Sequence, residues 1–153
     1  MDEPPKEPVK YIDAEVRLPY HYVAGDYRAR YLRALKDKKI LGSKCSKTGK
    51  VFVMPVVASP ESFAPCDELV EISDRGVVTA AAIVHEAVEG LHPARAPFAF
   101  VLVKLDGADT ALPHVVTDGL ERLRVGTRVE AVWKPDGERI GSIRDIAGFR
   151  PID

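Results

Sequence analysis

The sequence predicts a mainly β protein with a helical arm at its N-terminus, and three observations support that prediction. Apolar residues recur at helical spacing near the N-terminus, short apolar runs bounded by turn residues fill the chain from residue 68 onward, and a knuckle-like segment lies between them. At 153 residues and 46% hydrophobic composition, the chain is long enough to bury a core. We predict an arm at 1–40, a degenerate zinc-ribbon-like segment at 41–67 and a barrel at 68–153.

The first 19 residues are predicted to be extended. Pro4, Pro5 and Pro8 exclude a helix, and no periodic apolar face is present. The arm is either a disordered tail or a segment that becomes ordered on a partner.

Residues 20–39 form the main helix candidate, with Asp26 as its N-cap. Two sets of side chains alternate at helical spacing: Tyr27, Tyr31, Ala34 and Leu35 against Arg28, Arg30, Arg33 and Lys36. All five tyrosines lie within the first 31 residues, and tyrosine is enriched at protein interfaces. The helix packs either on the chain's own barrel or on a partner, which would contact Tyr20, Tyr22, Tyr27 and Tyr31.

The segment 41–67 has the outline of a two-knuckle zinc ribbon that lacks most of its ligands. Structural zinc takes four Cys or His ligands, paired at C-x₂₋₄-C spacing. Cys45 begins such a knuckle, but the next ligand position is Thr48, and the second knuckle has Ser59 and Ser62. Hydroxyl groups are poor zinc ligands, so we predict no metal here. We then expect Cys45 and Cys66 to be ordinary thiols, which serve as small buried residues.

The chain from residue 68 reads as short strands, and their order is that of an OB-fold. The predicted strands cover 69–72, 77–88, 98–105, 111–117, 128–133 and 143–149, with a turn or bulge at Gly76. About five strands, with a short helix at 117–126 capped by Thr117, match a five-stranded OB-fold barrel.

The strand 98–105 is apolar on both faces. Phe98, Phe100 and Leu102 share one face, and four further apolar residues share the other. Only one face can point into a barrel, so the arm, the ribbon-like segment or another protein must cover the other. Phe98 and Phe100 are therefore candidate partner-binding residues.

Charge and motifs exclude several functions. Residues 1–50 carry 12 Lys and Arg against 7 Asp and Glu, whereas residues 51–153 carry 10 against 16. A negatively charged barrel is a poor match to nucleic acid. The four histidines are scattered in the sequence, and no nucleophile, phosphate-binding or metal motif is present. The sequence therefore shows no catalytic set and no cofactor site. It also has neither a signal peptide nor a membrane span, which favours the cytoplasm.

The chain resembles the DUF35 family over residues 20–151. The resemblance is carried, in order, by GSKCSKTGKVFVMP, DELVEISDRGVV, PFAFVLVKLDGAD, LRVGTRVEAVWK and FRP. It is nearest to the thiolase-associated branch, in which the first knuckle often reads C-x-x-T-G. The ligands of the family's zinc ribbon would map onto Cys45, Thr48, Ser59 and Ser62, so zinc binding does not carry over. The family's usual pair of prolines followed by arginine is replaced in this chain by Met54-Pro55-Val56.

The resemblance implies a non-catalytic subunit that docks onto a thiolase-fold or other enzyme of acyl-CoA, lipid or steroid metabolism. It also implies a contribution to the acyl-CoA channel. Arg28, Arg30 and Arg33 would then contact a CoA phosphate or an acidic partner. Two alternatives stay open: an OB-fold protein that binds single-stranded nucleic acid, and an enzyme in its own right, such as an acyl-CoA thioesterase or hydratase. The sequence does not identify the partner, the acyl group or the stoichiometry.

Overall fold

The structure is a computed structural model that describes residues 14–152. The predictions for Pro4, Pro5, Pro8 and Tyr11 lie outside the described residues. The described part contains one α-helix and eight strands: α1 (Gly25–Lys36), β1 (Ile40–Lys44), β2 (Val51–Val53), β3 (Glu68–Ile72), β4 (Arg75–Val84), β5 (Phe98–Leu105), β6 (Ala111–Val116), β7 (Arg128–Trp133) and β8 (Ile146–Pro151). No helix in this part of the chain has the length and apolar character needed to cross a membrane.

Helix α1 is shorter than predicted and begins later. Gly25 has a φ of 73°, which no right-handed helix can continue through, and residues 14–24 are not helical. The predicted N-cap at Asp26 is wrong: Ala24 is the N-cap residue and makes no capping bond with its side chain. Asp26 lies in the first turn instead, where its carboxylate pairs with Arg30 at 3.0 Å.

A small antiparallel sheet in the order β2-β1-β3 follows the helix. Strand β3, which lies beyond the predicted boundary at residue 67, pairs with β1 along its whole length, from Ile40 opposite Ile72 to Lys44 opposite Glu68. The exposed side of β2 is tied to the turn between β5 and β6. There, Asp109 exchanges two bonds with the backbone of Val51, at 2.8 and 2.9 Å, and Thr110 accepts from the Val53 amide at 2.9 Å.

The remaining strands form the closed barrel β4-β5-β6-β8-β7. The predicted five-stranded OB-fold is confirmed. Its pairs are antiparallel except for β6 with β8, which is parallel. The predicted helix at 117–126 is a single 3-10 turn, Leu120–Arg122, and the last predicted strand opens with another, Ile143–Asp145.

The predicted turn or bulge at Gly76 is wrong. Gly76 lies inside β4 and pairs with Leu105 on one side and with Val129 on the other. A Cβ at this position would lie 2.3 Å from the Lys104 carbonyl oxygen, so glycine is required here for a close approach of two backbones.

One apolar core joins the helix, the small sheet and the barrel. Tyr31 and Leu35 of α1 are 4% and 0% exposed and pack with Ile40, Val53 and Ile72 and with the barrel interior. The Arg139 guanidinium donates to the carbonyl oxygen of Lys134 at 2.7 Å. It also donates to the carbonyl oxygen of Lys36, at the end of α1, at 2.6 Å. Of the two alternatives that the sequence left open, the helix packs on its own barrel.

Candidate docking surface and relic metal site

The ribbon-like segment contains two knuckles with the same backbone hydrogen bonds. In the first, the Gly49 amide donates to the Cys45 carbonyl at 2.9 Å, and the Cys45 amide donates to Lys50 at 2.8 Å. In the second, the Phe63 amide donates to the Ser59 carbonyl at 2.9 Å, and the Ser59 amide donates to the Ala64 carbonyl at 2.9 Å.

The residue that follows each knuckle also has the same conformation. Gly49 and Phe63 are both left-handed, with φ values of 71° and 55°. Since three backbone features repeat at a spacing of 14 residues, the alignment of Cys45 and Thr48 with Ser59 and Ser62 is structural as well as sequential.

The hydroxyl groups of two of these positions, Thr48 and Ser62, lie at the Cys45 sulfur. The Cys45 sulfur lies 3.4 Å from the Ser62 hydroxyl, and the Ser59 hydroxyl accepts from the amides of Glu61 and Ser62 at 3.3 Å. Hydrogen bonds from Ser62, and then from the side chain and amide of Thr48, lower the pKa of Cys45 to about 6.

This donor set does not fit zinc. The four positions supply one thiol and three hydroxyl groups, whereas a structural zinc site takes four thiolate or imidazole ligands. Among residues 14–152, no group of three or more His, Cys, Asp or Glu side chains could hold a metal ion.

Cys66, which the sequence placed off the ligand pattern, lies beside Cys45. Both are buried, at 0% and 1% exposure, in a small core with Phe52 that is separate from the main core. Burial and then the neighbouring Cys45 raise the pKa of Cys66. The sequence predicted two buried thiols but not that they meet, because their proximity depends on the register of two strands.

The outer face of β5 is apolar and uncovered. Phe100 and Leu102 are 43% and 42% exposed. Phe100 lies between Ala82 of β4 and Val115 of β6, and Leu102 occupies the equivalent place one step along the sheet. Phe98, predicted to belong to this face, is instead fully buried beneath His92 and Phe100, at ring distances of 5.9 and 5.1 Å. It is therefore not available to a partner in this structure.

The same face ends in an open strand edge that the sequence did not reveal. Strand β4 pairs with β7 only through Arg75, Gly76 and Val77, so from Thr79 onward it has a strand neighbour on the β5 side alone within the described residues. Residues 79–83 are all exposed, and Ile83 is 47% exposed. We name the outer faces of β4 and β5, with this edge, the β4–β5 surface.

A groove of about 610 Å³ adjoins the β4–β5 surface at Phe100. Its lining is mainly apolar, with two cations and two histidines: Lys134, Arg144, His92 and His114. The sequence placed the histidines far apart, but the fold brings these two to one groove. His114 packs edge-on against Phe149 at 5.5 Å, its Nδ1 is buried without a partner among the described residues, and burial lowers its pKa.

The aromatic residues of the arm divide into exposed and buried groups. Tyr20 and Tyr22 are 81% and 62% exposed, Tyr27 is half-buried, and Tyr31 is buried and therefore not available to a partner. Sequence reasoning missed Phe63, which is 84% exposed at the tip of the second knuckle in a conformation that bulky residues rarely adopt.

The arginines predicted to contact a phosphate or an acidic partner are all exposed. Arg28 bonds the Tyr22 hydroxyl and lies 6.0 Å from the centre of its ring, and Arg30 pairs with Asp26. No ion pair of Arg33 is found in the part of the chain that the structure describes.

The chain is similar to one family of known domains and to solved structures. Residues 69–134 match the family described as ChsH2, C-terminal OB-fold domain. A protein of unknown function from the DUF35 family of Sulfolobus solfataricus is 26% identical, with a TM-score of 0.55, over 67% of this chain and 73% of that chain. The Ltp2-ChsH2(DUF35) aldolase is 21% identical, with a TM-score of 0.60, over 81% of this chain and 93% of that chain. No protein of curated function matches significantly.

Fold and site together define a protein that joins a small knuckle-bearing sheet to an OB-fold barrel. The barrel matches the ChsH2 C-terminal OB-fold family over residues 69–134, and the chain is similar in fold to solved proteins described as DUF35.

Proposed function

We propose that the chain is a non-catalytic accessory subunit that docks onto a thiolase-fold acyl-CoA enzyme, stabilises it and shapes its acyl-CoA channel. The observation that carries this proposal is the β4–β5 surface, where Phe100 and Leu102 are each more than 40% exposed beside an open strand edge. Contiguous apolar surface of this kind is typical of protein–protein interfaces, and an open edge can accept a further strand.

The relatives support an accessory role. The Ltp2-ChsH2(DUF35) aldolase pairs a DUF35 protein with a second component, and the present chain has the same fold across 93% of the matched chain. The resemblance of the sequence to the thiolase-associated branch is the reason for proposing a thiolase-fold partner.

The state of the groove histidines supports a non-catalytic role. His92 Nδ1 accepts a hydrogen bond from the Val88 amide at 2.8 Å, so this nitrogen is already engaged within its own loop. His114 is packed on Phe149, and burial lowers its pKa. Within residues 14–152, neither ring is paired with a nucleophile or a carboxylate, as a general base would be.

Arg33 is the arm residue best suited to an anion within this proposal. Arg28 and Arg30 already contact Tyr22 and Asp26, whereas the Arg33 side chain is exposed without such an ion pair in the described part of the chain. We propose that it contacts a CoA phosphate or an acidic surface of the partner.

Co-expression of the tagged chain in its native host, with mass spectrometry of the proteins that co-purify, tests the proposal. We expect a thiolase-fold enzyme in fixed stoichiometry. Replacing Phe100 and Leu102 together by aspartate should weaken the complex at least about tenfold, because buried apolar anchors each contribute on the order of 1–2 kcal/mol. Val125→Asp is the matched control, since Val125 is 69% exposed outside the β4–β5 surface and should leave binding unchanged.

Three outcomes would overturn the proposal. The first is a wild-type chain that purifies alone as a stable monomer, and the second is turnover of acyl-CoA by the isolated chain. The third is co-purification of single-stranded nucleic acid with steep salt dependence and no enzyme. Circular dichroism of each variant establishes that lost binding does not reflect lost folding.

A further inference from the structure

The two cysteines of the chain meet in the small core between the knuckles. Cys45 and Cys66 are 1% and 0% exposed, and both pack with Phe52. Both are free thiols in this structure. This core occupies the place where the zinc ligands of a ribbon would converge, yet the hydroxyl groups of Ser59 and Ser62 replace two of those ligands.

Backbone hydrogen bonds bring the segments that carry the two cysteines side by side. Lys44 lies opposite Glu68 and the Ser46 amide donates to the Pro65 carbonyl at 3.0 Å, so Cys45 faces the chain at Cys66 and Asp67, and both cysteines pack in one small core with Phe52. Opposed residues of antiparallel segments have Cα atoms about 4.5–5.5 Å apart. A disulfide requires a Cα separation of about 4.4–6.8 Å, so this arrangement permits one.

The hydrogen bonds around the two sulfur atoms differ and give each cysteine a different role. The Cys45 sulfur lies 3.4 Å from the Ser62 hydroxyl, whereas the Cys66 thiol lies 3.9 Å from the Ala64 carbonyl, to which it donates weakly. Donors stabilise a thiolate, so Cys45 is the nucleophile and Cys66 the resolving thiol. Ser62 is half-buried, so solvent lies one side chain away from the Cys45 sulfur.

We infer that Cys45 and Cys66 form a reversible disulfide, which supplies the cross-link that zinc gives to a ribbon with four Cys or His ligands, with a small-molecule disulfide as the oxidant. The Cys45 thiolate attacks one sulfur of the oxidant, which forms a mixed disulfide and releases one thiolate. Cys66 then attacks the Cys45 sulfur, loses its proton to solvent and releases the second thiolate. One dithiol is oxidised and one disulfide is reduced, so the electrons balance.

This inference does not depend on the proposed function, because it concerns only the ribbon-like segment. The bond would join the start of the first knuckle to the segment between the second knuckle and β3. It would therefore enclose both knuckles in one covalent loop.

The test uses the full chain, first reduced and then exposed to a series of ratios of oxidised to reduced glutathione. Intact mass, thiol titration after unfolding and mapping of unreduced peptides follow the reaction. We expect loss of both thiols, loss of the mass of two hydrogen atoms, and one peptide pair that joins Cys45 to Cys66. The thermal midpoint of the oxidised chain should exceed that of the reduced chain by roughly 5 °C or more.

Cys66→Ala supplies the matched control, since it keeps the nucleophile and removes the resolving thiol. It should stop at the glutathione adduct of Cys45, whereas Cys45→Ala should react slowly or not at all. The inference is overturned if the wild-type chain keeps both thiols across the series, or if it stops at the adduct or forms only intermolecular disulfides. It is also overturned if the reduced chain binds stoichiometric zinc that prevents oxidation.

Discussion

Replacing Tyr31 by phenylalanine should stabilise the protein. The Tyr31 side chain is 4% exposed in the core shared by α1 and the barrel, and its hydroxyl is buried without a hydrogen-bond partner among the described residues. A buried hydroxyl without a partner costs about 1–3 kcal/mol, and phenylalanine keeps the packing of the ring. We therefore expect Tyr31→Phe to raise the free energy of unfolding by about 1 kcal/mol, and Tyr31→Ala to lower it by about 3–5 kcal/mol.

The same burial predicts that the stability of the wild-type protein falls relative to that of Tyr31→Phe at alkaline pH. Burial raises the pKa of Tyr31 from 10.0 to about 12. Below pH 10 the phenol is protonated in both the folded and the unfolded chain, so its contribution to stability is fully present. As the pH rises from about 10 to about 12, the unfolded chain loses this proton and the folded chain keeps it. The wild-type protein should therefore lose up to about 2.7 kcal/mol relative to Tyr31→Phe, at about 1.4 kcal/mol for each pH unit.

Urea unfolding near neutral pH and near pH 11 measures both effects. Tyr20→Phe is the control, because Tyr20 is 81% exposed and its loss should change stability by less than about 0.5 kcal/mol at either pH. If Tyr31→Phe is destabilising by more than about 1 kcal/mol, the hydroxyl has a partner in the folded state. If wild type and variant share one alkaline profile, Tyr31 is not in the core and becomes available to a partner again.

Two further predictions concern the barrel. Gly76→Ala should lower the free energy of unfolding by more than about 3 kcal/mol, since its Cβ would lie 2.3 Å from a backbone oxygen of β5. Gly137→Ala, whose Cβ would have no atom within 4 Å, should be neutral or slightly stabilising. Equal urea midpoints for the two variants would contradict the strand pairing. Asp145→Asn should cost about 1.5–3 kcal/mol near neutral pH, because the buried carboxylate accepts from the amides of residues 140, 141 and 142 at 2.7–3.1 Å. Burial alone would raise the pKa of Asp145, but these bonds hold it below its usual value. The difference in stability between variant and wild type should therefore shrink as the pH falls below about 4. A difference in stability that persists in acid would refute this assignment.

The strands were predictable because their side chains obey a simple period. β5 reads FAFVLVKL between Pro97 and Gly107, and its bounds were predicted without error. Phe98 breaks the alternation that assigned it to the outer face, because the loop that carries His92 folds over it. A loop closing on a strand end depends on tertiary structure, which a period of two residues does not encode.

The start of α1 was mispredicted because two local signals compete. Asp26 is a favourable N-cap residue, but Gly25 adopts a left-handed φ and is the first residue of the helix, so the N-cap is Ala24, two residues earlier. Gly76 shows the converse error: glycine after Asp74 and Arg75 favours a turn, yet the residue fits a crowded position between two strands. Glycine serves both purposes, and only the packing around it distinguishes them.

The candidate site was predictable where it depends on spacing and unpredictable where it depends on register. The two knuckles follow from C-x-x-T-G and S-x-x-S, and both have the same backbone hydrogen bonds. The proximity of Cys66 to Cys45 and the open edge of β4 arise from strand pairing. The exposure of Phe63 could not be predicted because the residue lies in a turn with a positive φ, outside any periodic apolar pattern.

The knuckles also explain how the ribbon-like segment keeps its shape with a donor set that does not fit zinc. Their turns are closed by backbone hydrogen bonds, which are independent of the side chain at the ligand positions. Phe52 and the two cysteines supply a small apolar core, and Asp109 and Thr110 tie the outer strand to the barrel. A metal would hold the four ligand positions from within, whereas here the segment is held by its own backbone and by the barrel beneath it. Because the barrel now carries this support, damage to its attachment at Asp109 should loosen the knuckles more than any single substitution at Thr48, Ser59 or Ser62.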